Sequence, residues 1–464
     1  MYQFMPIFHT IMYKYRPFMK RDVETELILW KNKKERTPLI IKGARQVGKS
    51  YTIEDFGRKN FEKLIVVNFE EKKEAISCFE SLDVHTILKH LGYLYGTTIT
   101  PGHTLLFLDE IQMCPQAIKA LRYFKEKLPT LHVIAAGSLL EFILEDEDNP
   151  LSFPVGRVRF LNMKPLSFRE FLRAIGQGQW EEAIENTTLS TPLSEEFHHL
   201  LMQFVRDYFL VGGMPAAVNA YIQSQSYIEA IHEQRAILDI YRLDLAKYGK
   251  KNEFAHLQKL FERSPFFVAR HFRYSKIDPE STNPAREYKN ALRKLNQANI
   301  ILFVHATSAN GLPLKAEESE KKFKLLFLDV GLLQCSLEID PSMFKSASFH
   351  QVNAGVIAEQ YVGQEWLAYA DCYLEPHLHF WETEKSGSAA EVDYVTNIAG
   401  KIVPIEVKAG QSSKLGSLHQ FMKVKSSQMG IHISTNPLSF KNDIISIPFY
   451  MIKEIPRLLK TIVK

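Results

Sequence analysis

Cysteine is scarce in this chain. Cys78, Cys114, Cys335 and Cys372 are the four among 464 residues, far apart and with no Cys-x-x-Cys pair. That argues against a disulfide framework or a zinc ribbon and fits a reducing, cytoplasmic setting. Long apolar runs are missing too: no segment supplies the roughly 18 uninterrupted apolar residues of a membrane helix, so no membrane partner is expected. The opening stretch is mildly apolar but is broken by Pro6, His9, Lys14, Arg16 and Pro17, and it does not read as a secretion signal. Met12 and Met19 are alternative starts. Charge of one sign is also lacking, since 57 − 53 gives a net +4, which permits nucleic acid as a partner without demanding it. The remainder is ordinary, 45% hydrophobic and 24% charged, which excludes a largely disordered or fibrous chain. The length allows roughly three domains.

The first chemical signal follows the apolar run Leu39-Ile40-Ile41, the kind expected of a buried parallel strand. Gly43-Ala44-Arg45-Gln46-Val47-Gly48-Lys49-Ser50 fits the spacing G-x-x-x-x-G-K-[ST], and an amphipathic stretch comes next. Gly43 and Gly48 let the backbone wrap so that its amides face a β-phosphate. Lys49 reaches the β- and γ-phosphates, Ser50 offers its hydroxyl to Mg²⁺, and the following helix N-terminus adds its dipole. A partner motif lies about 60 residues on, where Leu105–Leu108 end in Asp109-Glu110. Asp109 is placed to support Mg²⁺, and Glu110 to polarise the attacking water as a general base.

Further strands are expected at 64–67, 132–136 and 158–161, alternating with helical stretches as in a doubly wound parallel sheet whose strand C-termini form the ligand crevice. Ser138 stands at one such end and is a candidate to bond the γ-phosphate or the lytic water. Arg157, or Arg159, is a candidate to stabilise the transition state, in cis or from a neighbouring subunit.

These segments, GARQVGKS, LLFLDEIQ, AAGSLLEF and GRVRFLNMKPLSFREFL, resemble the AAA-type P-loop ATPases of bacteria and archaea. More narrowly they are similar to the group with a poorly characterised C-terminal region, which Gly212–Pro215, Asp239–Asp244 and Phe327–Leu332 also fit. The resemblance runs from about Arg21 to beyond Gly410. It implies ATP and Mg²⁺ as cofactors, adenine rather than guanine, and the ring-like homo-oligomers common among such proteins. It names no biological role.

A polar break is expected around Gly176–Gln179 and Thr187–Ser194. Phe197, Leu200, Leu201, Phe204, Val205, Tyr208 and Phe209 then recur at helical spacing, and Gly212-Gly213 with Pro215 punctuates the run as a turn or a hinge. Beyond residue 251, helices lead into the apolar run 300–304, a turn at Asn310–Pro313 and a second run at 324–328, the pattern of a winged helix. Arg286, Lys289 and Arg293 would share one face of its recognition helix, there to lie along DNA phosphates or to be an ordinary solvated face.

The last third holds a second constellation. Asp393 on one strand and Glu406-x-Lys408 on the next have the order and approximate spacing of the PD-(D/E)XK nuclease core. Period-two geometry puts Glu406 and Lys408 on one face, where two carboxylates can hold Mg²⁺ and the lysine can orient a water. The resemblance to restriction-endonuclease-like folds adds an acid on a preceding helix, Glu359, and a glutamine nearby, Gln420. The opposing reading is a nuclease fold without catalysis. His377-x-His379 has no third ligand in range and reads as a surface pair.

The expected architecture is α/β: a P-loop parallel sheet in an AAA-type domain over 20–175, a helical region over 195–250, a winged-helix-like region over 251–335 and a restriction-endonuclease-like α/β domain over 345–440. The expected function is ATP hydrolysis gating Mg-dependent binding or cleavage of DNA. The alternative is an ATP-driven switch that binds a protein partner through a silent nuclease fold.

Overall fold

The structure, a computed structural model, describes residues 19–137, 153–247, 253–338, 354–375, 377–383, 390–410 and 414–462. Two sheets dominate it. The first is built from β1 (Leu39–Lys42), β2 (Lys63–Asn68), β3 (Thr104–Asp109), β4 (His132–Ala136) and β5 (Arg159–Asn162), in the order β2-β3-β4-β1-β5. Every pairing in it is parallel. Around it lie α1 (Val23–Lys31), α2 (Lys49–Asn60), α3 (Val84–Tyr95) and α4 (Pro115–Lys127). Strands β3 and β4 are buried throughout, as near-continuous apolar runs flanked by helices on both faces must be.

Alternation splits this sheet between two cores. Ile40, Leu106 and Leu108 face Ile87, Leu91, Ile118 and Leu121 of α3 and α4. Leu39, Ile41, Leu105, Phe107 and Leu161 face the other way, into a core that continues without a break to Ile405, Ile431 and Ile447 near the C-terminus. The expected domains therefore share one apolar interior.

The middle of the chain is helical: α5 (Phe168–Ala174), α6 (Gln179–Glu185), α7 (Glu195–Val211), α8 (Pro215–Ser224), α9 (Tyr227–Asp244), α10 (Phe254–Arg263), α11 (Tyr274–Ile277), α12 (Pro284–Gln297) and α13 (Val330–Ser336). Helix α6 occupies part of the expected polar break, because Ile184 finds a buried seat. Gly212 ends α7 with φ +71°, and a Cβ there would stand 2.1 Å from the Asp329 carboxylate. The Gly-Gly turn is thus set by a close approach that other side chains forbid.

The second sheet has eight strands among the described residues. They are β6 (Ile301–Thr307), β7 (Glu318–Phe327), β8 (Leu378–Glu382), β9 (Glu391–Ile398), β10 (Lys401–Val407), β11 (Gly430–Ser434), β12 (Ser439–Lys441) and β13 (Ile444–Pro448). Their order is β12-β13-β11-β10-β9-β8-β6-β7. The hairpin expected as the wing of a separate module is here the end of this sheet, with β6 paired to β8 in parallel. Its apolar residues on both faces are the cause: Ile301, Val304, Leu325, Leu326 and Phe327 are all buried, which a solvated wing would not allow. Helix α12 carries Arg286, Lys289 and Arg293 exposed on its outer side.

Across the sheet runs α14 (Ala354–Ala368), apolar nearly all round and accordingly buried. Three of its polar side chains, Gln360, Gln364 and Glu365, bond backbone N–H groups. Gln360 brackets the N–H and C=O of Phe327, both at 2.8 Å, and Glu365 accepts the Phe168 N–H at 3.0 and 3.1 Å. Two more helices, α15 (Gly416–Lys425) and α16 (Ile455–Ile462), close the fold. No helix among the described residues is long and apolar enough to cross a membrane.

Burial first, and then the neighbouring Glu170 charge, lift the Glu365 carboxyl from 4.5 to about 8. Between those values the folded protein holds a proton that the unfolded chain has released, so this group's contribution is full below pH ~4.5 and is lost as pH rises through 8. We expect Glu365→Gln to flatten the fall of melting temperature between pH 5 and 8 and to be the more stable protein at pH 8.5. Calorimetry across that range checks it, and parallel curves for both proteins would refute the assignment.

Candidate nucleotide site

The phosphate-binding loop leaves β1 at Gly43, whose φ is +144° and whose Cβ, if it had one, would meet the Met163 carbonyl at 2.2 Å. Only glycine can turn there. The loop wraps back through Gln46, at φ 61°, and Gly48, at φ 93°, and α2 begins at Lys49. The Lys49 ammonium is buried and donates to the carbonyls of Gly43 and Ala44 at 2.9 and 2.8 Å. Burial lowers its pKa to about 8, while Glu110 and Asp109 oppose the fall. Arg21 buttresses the loop from outside, with Nη1 on the Val47 carbonyl at 2.9 Å and Nε on Glu170 at 2.9 Å.

Parallel pairing of β3 beside β4 and β1 carries Asp109 to the same edge as the loop. Asp109 is buried and accepts a hydrogen bond from Ser50; burial is the chief cause that lifts its pKa to about 6. A hydroxyl and a carboxylate already in contact are a fitting donor set for Mg²⁺, which demands oxygen ligands and keeps most of its waters. Glu110 follows with φ 49°, a strained left-handed conformation of the sort that gathers at functional sites. Its carboxylate takes a hydrogen bond from the Gln112 amide, a partner that motif spacing did not reveal.

Beside Gly48 opens a cavity of about 490 Å³ lined by Met19, Tyr51, Thr52, Pro215, Ala216 and Ala220, among others. Its apolar walls adjoin the phosphate loop, a suitable place for a nucleoside. A larger cleft of about 660 Å³ lies between α1 and the end of α14 and contains none of the phosphate-binding residues.

Ser138 lies outside the described residues. Arg157 and Arg159 stand at the start of β5, and because β5 runs parallel to β1 with Arg159 opposite Leu39, they sit at the end of the sheet away from the loop. Arg157 instead pairs with Glu126 at 2.9 Å, and Arg159 lies over the Tyr373 ring, so neither serves this chain's own nucleotide. Besides Arg21, the loop's own Arg45 is engaged: it pairs with Asp244 of α9 at 2.8 Å, while the Tyr241 hydroxyl donates to the Arg45 carbonyl at 2.7 Å.

The second constellation also gathers. Asp393 Oδ2 accepts the Val407 N–H at 2.7 Å, and the Lys408 ammonium bonds Glu406 Oε1 at 2.6 Å. Glu406 Oε2 is buried and has no hydrogen-bond donor among the described residues. Glu359 faces the same cluster from α14, but its partner is Lys324 of β7, at 2.9 Å. The Lys324 ammonium also contacts Glu391 and lies 4.0 Å from Asp393. Burial works against that charge, yet Glu359, Asp393 and Glu391 outweigh it and raise its pKa. Burial pushes the carboxyls of Glu359 and Glu406 up, whereas Glu391, despite burial, is held down at about 2 by His271 and Lys324. No spacing rule singled out Lys324 or Asp244, which distant elements bring in, and Glu391, two residues before Asp393 on β9, joins the cluster through Lys324 and His271.

Among the described residues, the metal-type ligand atoms that converge within 4.8 Å are those of His271, Glu382 and Glu391, not those of Glu359, Asp393 and Glu406. Lys322 and Lys324 already occupy one oxygen each of Glu382 and Glu391. His379 is buried against Glu318 at 3.1 Å rather than forming a surface pair, because β8 is an interior strand.

Residues 35–172 match the family model described as an AAA domain. Residues 202–343 match a domain of unknown function, DUF8612, and residues 354–450 match another, DUF4143. No curated protein matches the chain. Solved structures similar to it include a Walker-type ATPase of Pyrococcus abyssi, at 16% identity over 69% of this chain and 96% of that one, with a TM-score of 0.44. Another is the ORC2 protein of Aeropyrum pernix in ADPNP-ADP complexes, at 13% identity over 72% of this chain and 97% of that one, with a TM-score of 0.34. A third is AMPPCP-bound DnaA from Aquifex aeolicus, at 14% identity over 60% and 86%, with a TM-score of 0.28. The AAA match spans the phosphate loop and both carboxylates at the end of β3, Asp109 and Glu110. This part of the chain matches an AAA domain, and its phosphate loop and strand-end carboxylates support ATP binding and, in general, its hydrolysis.

We expect Lys49→Ala to abolish binding of a fluorescent ATP analogue. Glu110→Gln should keep binding and lower turnover by ~10²-fold or more, the usual worth of a general base. Turnover within a few-fold of wild type in Glu110→Gln would remove Glu110 from that role.

Proposed function

We propose that this protein is an ATP-hydrolysing switch whose nucleotide state is passed through the middle helices to the second sheet. The observation that carries this reading is the pairing of the phosphate loop with α9, Arg45 to Asp244 and Tyr241 to the Arg45 carbonyl. ATP phosphates are stronger acceptors than the two carbonyls Lys49 now holds. Its ammonium would turn to them, and the loop would tighten beneath α9. Ser50 and Asp109 would hold Mg²⁺, which neutralises phosphate charge when bound. Glu110 would take the proton from the attacking water.

From α9 the route is contiguous. Gln234 holds the Leu210 and Val211 carbonyls and abuts Gly331 of α13. The Val330 N–H donates to Gln364 of α14 at 2.8 Å, and α14 carries Glu359. We expect an ATP analogue to slow amide exchange in α9 and α14, and Asp244→Asn to abolish the effect in α14 while ATP affinity falls less than tenfold. Unchanged exchange in wild-type α14 on nucleotide binding would defeat the switch reading.

A second reading, an ATP-gated Mg-dependent nuclease in a restriction-endonuclease-like domain, is favoured by Asp393, Glu406 and Lys408 standing together with a free Glu406 oxygen. Nicking of supercoiled plasmid with Mg²⁺ or Mn²⁺, lost in both Asp393→Ala and Lys408→Ala, would establish it over the silent form. No nicking by an active ATPase would leave the switch.

A further inference from the structure

The acidic cluster of the second sheet is already supplied with a cation that belongs to the chain. Lys324 Nζ is 2.9 Å from Glu359 Oε1, in contact with Glu391 Oε1 and 4.0 Å from Asp393 Oδ1, at the end of a side chain 1% exposed. Two further oxygens of the cluster have partners of their own: Glu391 Oε2 bonds His271 at 2.7 Å, and Asp393 Oδ2 accepts the Val407 N–H. Glu406 Oε2 is the exception, a buried carboxylate oxygen beside Asp393 without a donor among the described residues. The carboxylates of Glu359 and Asp393 lie about the ammonium, and their oxygens do not converge with those of Glu406 within 4.8 Å.

We propose that Lys324 stands in for a divalent metal in this cluster, closing it without one, so that the folded protein takes no metal there and removal of the ammonium opens a site for Mg²⁺ or Mn²⁺. The inference deepens the switch reading and rests on it only for the silence of the second sheet. A divalent ion within coordination distance of Glu359 and Asp393, roughly 2.0–2.6 Å, would lie against the lysine charge, and two like charges cannot share that space. Lysine also brings what a metal would: a positive point charge with three donors on a compact head. Because β7 reaches the cluster only as the end of the eight-stranded sheet, the hairpin that was expected to be a wing is what delivers the plug.

The test uses the full chain without nucleotide, so that the Ser50–Asp109 site contributes little. Electron paramagnetic resonance follows Mn²⁺ binding to wild type, Asp393→Asn, Lys324→Met, Lys324→Gln and Lys324→Met with Asp393→Asn. The expected result is no Asp393-dependent Mn²⁺ bound by wild type at millimolar concentration, and one equivalent bound by the Lys324 variants that disappears when Asp393 is also changed. Melting temperature gives a second readout if the Lys324 variants fold weakly: Mn²⁺ should raise it in Lys324→Met and not in the double variant. Asp393-dependent Mn²⁺ in wild type overturns the proposal, and so does the absence of both binding and thermal rescue in the Lys324 variants. Neither result bears on amide exchange in α9 and α14, so the switch reading stands or falls separately.

Discussion

One fully buried carboxylate ties the nucleotide-binding part of the chain to everything after it. Asp329 accepts hydrogen bonds from the N–H groups of Gly213 at 2.7 Å, Gly331 at 3.0 Å and Leu332 at 3.0 Å, and from the Gln364 amide at 3.2 Å. It therefore caps α13, pins the turn after α7 and touches α14 at once. The same turn holds the end of the first sheet, since the Gly213 carbonyl accepts the Leu166 N–H at 2.7 Å and the Tyr208 hydroxyl donates to the Leu166 carbonyl. Burial of this charge is costly, and its cost is offset only because every donor is in place. Each N–H orphaned by its loss would cost roughly 1–3 kcal/mol, so the three cannot be given up singly without loosening the joint.

The architecture around that joint makes the phosphate loop anything but isolated. Its floor is the Met163 carbonyl at Gly43, its flank is Arg21, and its far side is α9 through Arg45. Phe168, a few residues beyond that floor, is gripped by Glu365 of α14. The first sheet therefore meets the rest through hydrogen bonds to backbone groups as well as through apolar contact, and such bonds tolerate little sliding. A displacement at the loop must be absorbed by elements that have few ways to yield.

Much of the nucleotide site was legible before the fold was seen, because the loop and the strand ending in Asp109-Glu110 are local patterns in which spacing dictates geometry. The parallel sheet followed from the same apolar runs. Arg157 stands far from this chain's own loop for a physical reason: position along β5 relative to β1 depends on register, which the residues of one strand do not encode alone. The winged helix failed similarly, for a hairpin's own sequence says little about whether a third strand pairs with it. Asp393, Glu406 and Lys408 were found since adjacent strands bring them together. Lys324, from a strand some seventy residues earlier, could not be, because only the closing of the whole sheet puts its ammonium among those acids.

The way the second sheet is threaded bears on how the protein is made. Its strands come from residues 301–327 and again from 378–448, with β6 waiting beside β7 until β8 arrives to pair with it. The first sheet is complete once residue 162 has left the ribosome, whereas the second cannot close until β13 is synthesised. Until then Lys324 belongs to a hairpin without its counter-charges, and one side of β6 is an unpaired edge open to other chains. The order of synthesis thus gives the nucleotide-binding half a head start and leaves a long, aggregation-exposed interval before the second half can shelter its own lysine.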